Sequence, residues 1–111
     1  MFDAVAGSLE KYMTLLAARQ KLVASNIANA DTPGYRTRDI NFQAEFQSLI
    51  ESAGPTVIEP DGLLAKNDGN NVNMDREARL LAENALRYNL ASTLARSEIR
   101  TIRSAIQDGK S

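Results

Sequence analysis

A stretch without proline or glycine, residues 74–107, constrains the fold of this chain more than any other feature. Asn73 is suited to cap its start, and two acidic residues fall in the first turn, where the helix dipole favours them. Apolar residues then recur at alternating steps of four and three, the spacing of one helix face. The stretch predicts a single helix about 50 Å long at 1.5 Å per residue, followed by a short tail at 108–111.

Residues 1–30 repeat this periodicity and predict a second long helix. The apolar steps again alternate between four and three, with Gln20 as a polar interruption. Because the intervening chain, residues 31–73, lets the direction reverse, the two helices are expected to pack as an antiparallel, coiled-coil-like hairpin in a mainly α fold. The predicted seam between them consists of Leu9, Met13, Leu16, Val23, Ile27, Leu81, Tyr88, Ala95, Ile99 and Ile102.

Five of the leucines outside that seam form two groups on the long helices. Leu86, Leu90 and Leu94, hereafter the leucine stripe, recur every four residues on nearly the opposite face of the last helix. Leu15 and Leu22 lie about 100° from the seam of the first helix. A hairpin of two helices would leave this apolar surface in water, so we predict that all five leucines form an interface with another subunit.

The segment SNIANADTPGYR, residues 25–36 and hereafter the joint, predicts a structural turn where the first helix ends. Pro33 and Gly34 supply the fixed φ and the permissive φ of a type II turn. Asp31 is expected to accept backbone N–H bonds across the turn. Ser25 has no histidine and no obvious lysine partner, so a nucleophilic site is not predicted. The residues expected to set the direction of the chain are Ser25, Asn26, Asn29, Asp31, Thr32, Pro33, Gly34 and Tyr35.

Between the joint and the last helix, the sequence predicts a short helix and an irregular loop. Asn41 is suited to cap the short helix, which Gly54-Pro55 ends. Its apolar face would hold Phe42, Phe46, Leu49 and Ile50. Farther on, the apolar pairs 57–58 and 63–64 flank turn residues and weakly indicate a small hairpin.

Composition excludes much of enzymology. The chain has no histidine, the usual general base and commonest metal ligand, and no cysteine, which removes thiolate chemistry. The Asp, Asn and Gly cluster at 67–71 does not fit a calcium loop, because Leu64 and Lys66 stand where the first two ligands belong. We therefore predict no catalysis, no metal or other cofactor and no small-molecule substrate. The length of 111 residues and an apolar content of 43% suit one domain over residues 1–111.

Charge and hydropathy bear on partners and location. The net charge of -1 hides five basic and four acidic residues in 1–40, two and seven in 41–77, and six and three in 78–111. Such a split can steer self-association or docking, although a set of solvated faces is the preferred interpretation. The start of the chain does not have the pattern of a cleavable signal peptide. No run approaches the roughly 20 apolar residues of a membrane span.

Residues 24–35, ASNIANADTPGY, resemble a signature of the axial proteins of the bacterial flagellum. That signature is A-S-N-[IL]-A-N-x-[DN]-T-P-G-[YF], and the chain matches it at every position. Three further stretches are similar to those of proximal rod proteins in that family. They are RDINF at 38–42, GNNVNMDRE at 69–77 and LAENALRYNLAS at 81–92. The resemblance covers both predicted long helices, and this chain departs from it in a short middle segment.

The resemblance implies a structural subunit of the proximal rod of the flagellar basal body. Such subunits pair their terminal helices, stack helically around the export channel and help to transmit torque from the membrane ring to the distal rod and hook. The implied partners are other copies of the chain, FlgC-like and FliE-like proximal rod proteins, the membrane-embedded MS ring and the flagellar type III export apparatus. The implied location is the periplasmic rod, reached from the cytoplasm without cleavage of a signal peptide.

Two other functions fit the sequence less well. Another rod subunit, such as an FlgC-like protein, shares the signature but is disfavoured by residues 69–92. A helical nucleic-acid-binding module is suggested by Arg96, Arg100 and Arg103, which share a helix face. The net charge and the aromatic content of 5% argue against nucleic acid, and cations are common near a helix C-terminus for reasons of the dipole alone.

Overall fold

Two long helices dominate the computed structural model, which describes residues 2–48 and 54–110. Helix α1 is Phe2–Ala28 and helix α3 is Met74–Lys110. The chain between them forms strand β1 at Asp39–Ile40, helix α2 at Phe42–Gln47 and strand β2 at Val57–Ile58. The predicted fold class, mainly helical with paired terminal helices and a short middle helix, is confirmed.

Contacts along their length show that α1 and α3 run antiparallel. The Asn26 amide near the end of α1 donates to Glu77 near the start of α3, at 3.1 Å. Farther along, the Asn84 amide donates to Gln20 at 3.3 Å. Beyond that, the early part of α1 and the late part of α3 border a common groove. The molecule is elongated, with dimensions of 70 × 27 × 19 Å.

The buried face of α3 lies one residue away from the predicted seam at its N-terminal end. Leu80 is buried, whereas Leu81 is 39% exposed, so the prediction for Leu81 is wrong. Glu77 and Asn84 occupy the other buried positions of this face. Apolar periodicity failed here because polar side chains with hydrogen-bond partners fill places that normally hold apolar ones.

On α1, the prediction of Leu15 as an interface residue is wrong, because Leu15 is 5% exposed and belongs to the core with Leu16 and Val23. Tyr12 and Arg19, three and four residues away on the same helix face, contact the middle segment. That segment therefore covers the face that a bare hairpin would leave in water. Leu22, on the same side, is half-buried.

The middle segment packs on α1 through aromatic side chains. Asn41 caps α2, its side chain accepting from Ala44 N at 3.2 Å, as the sequence predicts. Phe42 and Phe46 meet the ring of Tyr12 edge-on, with ring centroids 5.5 and 5.6 Å apart. The other two residues of its predicted apolar face, Leu49 and Ile50, lie outside the described residues.

The small sheet differs from the hairpin that the sequence suggested. Val57–Ile58 pairs antiparallel with Asp39–Ile40, in the register Asp39 to Ile58 and Ile40 to Val57. The other apolar pair of the proposed hairpin forms no strand, and Leu64 is 93% exposed. The partner strand lies across α2 in the sequence, and local turn signals carry no information about such a distant pairing.

Helix ends also differ from the predicted ones. Helix α1 stops at Ala28, two residues before the predicted end, because the joint begins to turn there. Helix α3 continues to Lys110, so the residues predicted as a tail are helical up to that point.

Candidate functional site

The turn of the joint has the geometry that Pro33-Gly34 predicts. The Tyr35 N–H donates to Thr32 O at 3.2 Å and closes the turn. Gly34 has φ of +75°, the left-handed conformation that the third residue of a type II turn requires and that glycine adopts without strain. The joint is therefore a backbone feature whose direction depends on one glycine.

Amide side chains add hydrogen bonds to carbonyl oxygens at the end of α1 and in the turn, each of which also accepts from a backbone N–H. The Asn29 amide donates to Ser25 O at 2.8 Å. From beyond the middle segment, the Asn70 amide donates to Asn29 O at 2.9 Å and to Thr32 O at 2.8 Å. Asn70 therefore ties the residues before α3 to the chain that leaves α1.

Asp31 does not have the role predicted for it. Its side chain is exposed, and within residues 2–48 and 54–110 no group donates a hydrogen bond to it. The free groups at a helix C-terminus are carbonyl oxygens, which a carboxylate cannot serve, so amides take the place that the sequence assigned to an acid.

Asn26 is the most heavily bonded side chain of the joint and is fully buried. Its oxygen accepts from Tyr35 Oη and from Arg38 N, each at 3.0 Å. Its nitrogen donates to Arg38 O at 2.9 Å and to Glu77 Oε2 at 3.1 Å. One amide thus connects α1, the turn that follows it and the first turn of α3.

A set of charged side chains extends this network, and together with Asn26 it forms what we call the polar cluster: Arg19, Asn26, Asp39, Arg76 and Glu77. Arg19 makes two parallel hydrogen bonds to the Asp39 carboxylate, at 3.0 and 2.9 Å. Arg76 donates to the same carboxylate and to Glu77 Oε1, the latter at 2.7 Å. Two cations and two anions cancel, so the cluster holds buried charges without a net charge.

Two residues clamp the base of the middle segment. Thr37 N donates to Asn71 Oδ1 at 2.6 Å, and Thr37 Oγ1 donates to Asn71 O at 3.2 Å. Both residues are buried. The clamp holds the residues that follow the joint beside the residues that precede α3. Both segments are therefore fixed next to the joint.

Sequence reasoning identified Asn26 and Asn29 but missed Asn70, Asn71, Glu77 and the charged members of the cluster. Glu77 is one of the two acidic residues whose place in the first turn of α3 was attributed to the helix dipole. It is fully buried and paired with Arg76. The signal was present in GNNVNMDRE, where polar residues with turn and cap propensity stand directly before a long helix. Their partners lie more than 30 residues away in the sequence, and no local pattern connects them.

The arrangement suits mechanical positioning of the two helices. No cluster of three or more potential metal ligands occurs within the described ranges. In the same part of the chain, none of the helices combines the length and apolar character needed to cross a membrane.

The leucine stripe on α3 faces away from α1. Leu86, Leu90 and Leu94 are 71%, 60% and 51% exposed. Beyond Asn84, Ala91 is the single buried residue of α3 in the region that the structure describes. This half of the helix therefore presents apolar surface that its own chain does not cover.

A groove of about 580 Å³ opens between the same half of α3 and the first half of α1. Several predicted seam residues line it instead of closing it, together with alanines of both helices. The residues from both helices that give it an apolar lining include Leu9, Met13, Ala17, Tyr88, Ala95 and Ile102.

The fold and the joint define an elongated helical subunit whose two long helices are tied together at one end. The profile of the family described as flagella basal body rod protein matches residues 13–36. The flagellar basal body rod protein FlgB of Yersinia enterocolitica is 34% identical, covering 98% of this chain and all of the relative. FlgB of Salmonella typhimurium is 32% identical, covering 96% of each chain.

These similarities establish that the chain belongs to the flagella basal body rod protein family, and its full-length relatives are FlgB proteins. It is thus a structural subunit of the rod of the flagellar basal body, and it serves motility. The alignment with the Yersinia protein spans 137 positions although this chain has 111 residues, so that relative carries segments without a counterpart here.

Proposed function

We propose that this rod subunit belongs to the proximal rod and stacks helically around the axial export channel. The carrying observation is the leucine stripe, an apolar face on a helix whose opposite face is already packed on α1. Contiguous exposed apolar surface of this kind marks a site of contact with another protein. Repeated copies of one chain, together with FlgC-like and FliE-like neighbours, supply that cover.

The joint gives such a stack its rigidity. The polar cluster ties both long helices and the middle segment together through buried bonds in fixed directions. A subunit that transmits torque from the MS ring toward the distal rod and hook must resist twisting between its own helices. Buried bidentate and bridging hydrogen bonds resist it better than apolar contacts, which are non-directional.

The chain reaches the periplasmic rod through the flagellar type III export apparatus, without cleavage at its start. Its function is structural, and it converts no substrate. These proposals rest on the resemblance of residues 24–35, 69–77 and 81–92 to proximal rod proteins.

An electron microscopy map of basal bodies tests the assignment. The chain is expressed in flagellated cells that lack their own copy, and the basal bodies are isolated with the rod intact. We expect density for the joint and both helices in the rod segment next to the membrane ring, and mass spectrometry of the same sample should find the uncleaved N-terminus. Density in the hook or distal rod, or a shortened chain, would contradict the proposal.

A further inference from the structure

We infer that the interhelical groove of one copy receives the leucine stripe of a second copy, an inference that rests on the proposed self-assembly of the chain. The groove has an apolar lining that includes alanines, and the stripe is an exposed row of leucines. A row of large side chains at i, i+4 and i+8 is the ridge that packs into a groove between helices. The stripe is a protruding row and the groove is a recess, and both surfaces are apolar.

The dimensions of the two surfaces agree. The stripe covers about 12 Å of helix from Leu86 to Leu94 at 1.5 Å per residue. On α1, the groove is lined from Ala6 to Lys21, about 22 Å at the same rise. Ala17 and Ala95 on its walls carry only a methyl group, which lets a helix with protruding leucines approach closely. The stripe fits within the groove with room for its flanking residues.

Charges of both signs border each surface. The groove margin carries Glu10 and Lys21, one carboxylate and one ammonium group. The stripe is bordered by Glu83 and Arg87 on the adjoining face of α3, and Glu98, four residues after Leu94, borders both surfaces. Opposite charges can therefore pair across a contact of a stripe with a groove.

The contact joins two different patches of the molecule. Leu90 on the stripe and Ala95 on the groove wall lie five residues apart, about 140° around the axis of α3. A heterologous contact of this kind does not end at a pair but builds a ring or an open helical array, and the proposed helical stacking corresponds to the open array. Because three leucines supply only part of the roughly 1,200 Å² that a stable pair buries, single contacts are weak and gain strength by repetition.

Cysteine cross-linking tests the pairing, and the chain is suited to it because it has no native cysteine. Purified full-length Leu90→Cys is mixed at high concentration with Ala17→Cys, and disulfide formation is followed under mild oxidation. The matched control replaces Ala17→Cys by Ala78→Cys, an exposed alanine of α3 outside the groove lining. Circular dichroism establishes that all three variants fold.

We expect the mixed Leu90→Cys and Ala17→Cys adduct to form about tenfold faster than the control adduct, because docking raises the effective concentration of the two thiols. Equal rates for the two mixtures would overturn the inference, as would faster formation of an adduct between two Leu90→Cys chains. The proposed function fails separately. If the native chain is missing from the rod while the mixed adduct forms, the assignment to the rod falls and the stripe-in-groove contact stands.

Discussion

The two ends of the helical pair are stabilised in different ways. At the joint end, the buried side chains are mostly polar, and the polar cluster and the clamp hold α1, α3 and the middle segment together. At the other end, hereafter the open end, the leucine stripe and the groove leave apolar surface uncovered.

The difference separates two tasks within one small chain. Most buried polar groups at the joint end have partners inside the molecule, Asn71 Nδ2 being the exception among the described residues, so this end offers a neighbour few unpaired groups. Apolar surface without a partner is the driving force for association, so the open end is completed by assembly. In such a chain the joint end has a fixed geometry, and the open end keeps apolar surface for contact with a second molecule.

Removing a buried charge should have the largest effect on the joint end. Glu77→Ala leaves Arg76 and Asn26 without their buried partner, and breaking a buried pair from one side costs about 3–5 kcal/mol. Urea unfolding followed by circular dichroism measures this loss. Glu83→Ala is the matched control, because Glu83 lies on the same helix, has a side chain that is 44% exposed and is 4.0 Å from Arg79, so it should cost less than about 1 kcal/mol. Similar losses for the two variants would remove the distinction between the ends.

Two glycine substitutions should have opposite signs. Gly34→Ala places a Cβ at φ of +75° and should lower the free energy of unfolding by about 1–2 kcal/mol, with Gly34→Asn milder. Gly7→Ala lies within α1 with no atom within 4 Å of the added Cβ, so it should raise that free energy by about 0.5–1 kcal/mol. Thermal unfolding of the three variants checks the order. If Gly34→Ala and Gly34→Asn behave alike, backbone geometry does not control the joint.

Asn29 and Asp31 form a closer test within the joint. Asn29→Ala removes the amide that donates to Ser25 O and should cost about 1 kcal/mol, as for a lost capping bond. Asp31→Ala removes an exposed carboxylate and should change stability by less than about 0.5 kcal/mol. Urea midpoints at constant m-value provide the comparison. A larger loss for Asp31→Ala would restore the role that the sequence suggested for that residue.

The smallest effect on the isolated chain is expected at the open end. Replacing all three stripe leucines by serine should change unfolding by less than about 0.5 kcal/mol per residue, since none of them is buried. Rod completion should nevertheless fail, and counting basal bodies with a full rod by electron microscopy measures it. Leu80→Ser, at a buried position of the same helix, should instead destabilise the monomer. Normal motility of the triple variant would show that the stripe is not an assembly surface.

Features set by neighbouring residues were predictable from the sequence. The cap at Asn41 and the turn at Pro33-Gly34 depend on the local chain and have the expected geometry. The long helices follow from the sustained periodicity of apolar residues, and only the ends of these helices differ from the prediction.

Features that join distant segments were not predictable. Periodicity counts apolar residues, so it placed Leu81 in the seam where Leu80 and two polar residues are buried. It also assigned Leu15 to an interface with another subunit, because it could not foresee that the middle segment folds back over α1. The polar cluster escaped prediction because Asp39 meets Arg19 and Arg76 only after the chain has reversed.

The clamp between Thr37 and Asn71 holds together the two ends of the loop that lies between them. Residues added at the exposed turn of Asp61 and Gly62 lengthen this loop without disturbing the clamp, and doubling the length of a flexible loop costs only about 0.6 kcal/mol. The loop is thus a site at which a reporter peptide or a longer natural segment can be inserted while the two helices keep their register.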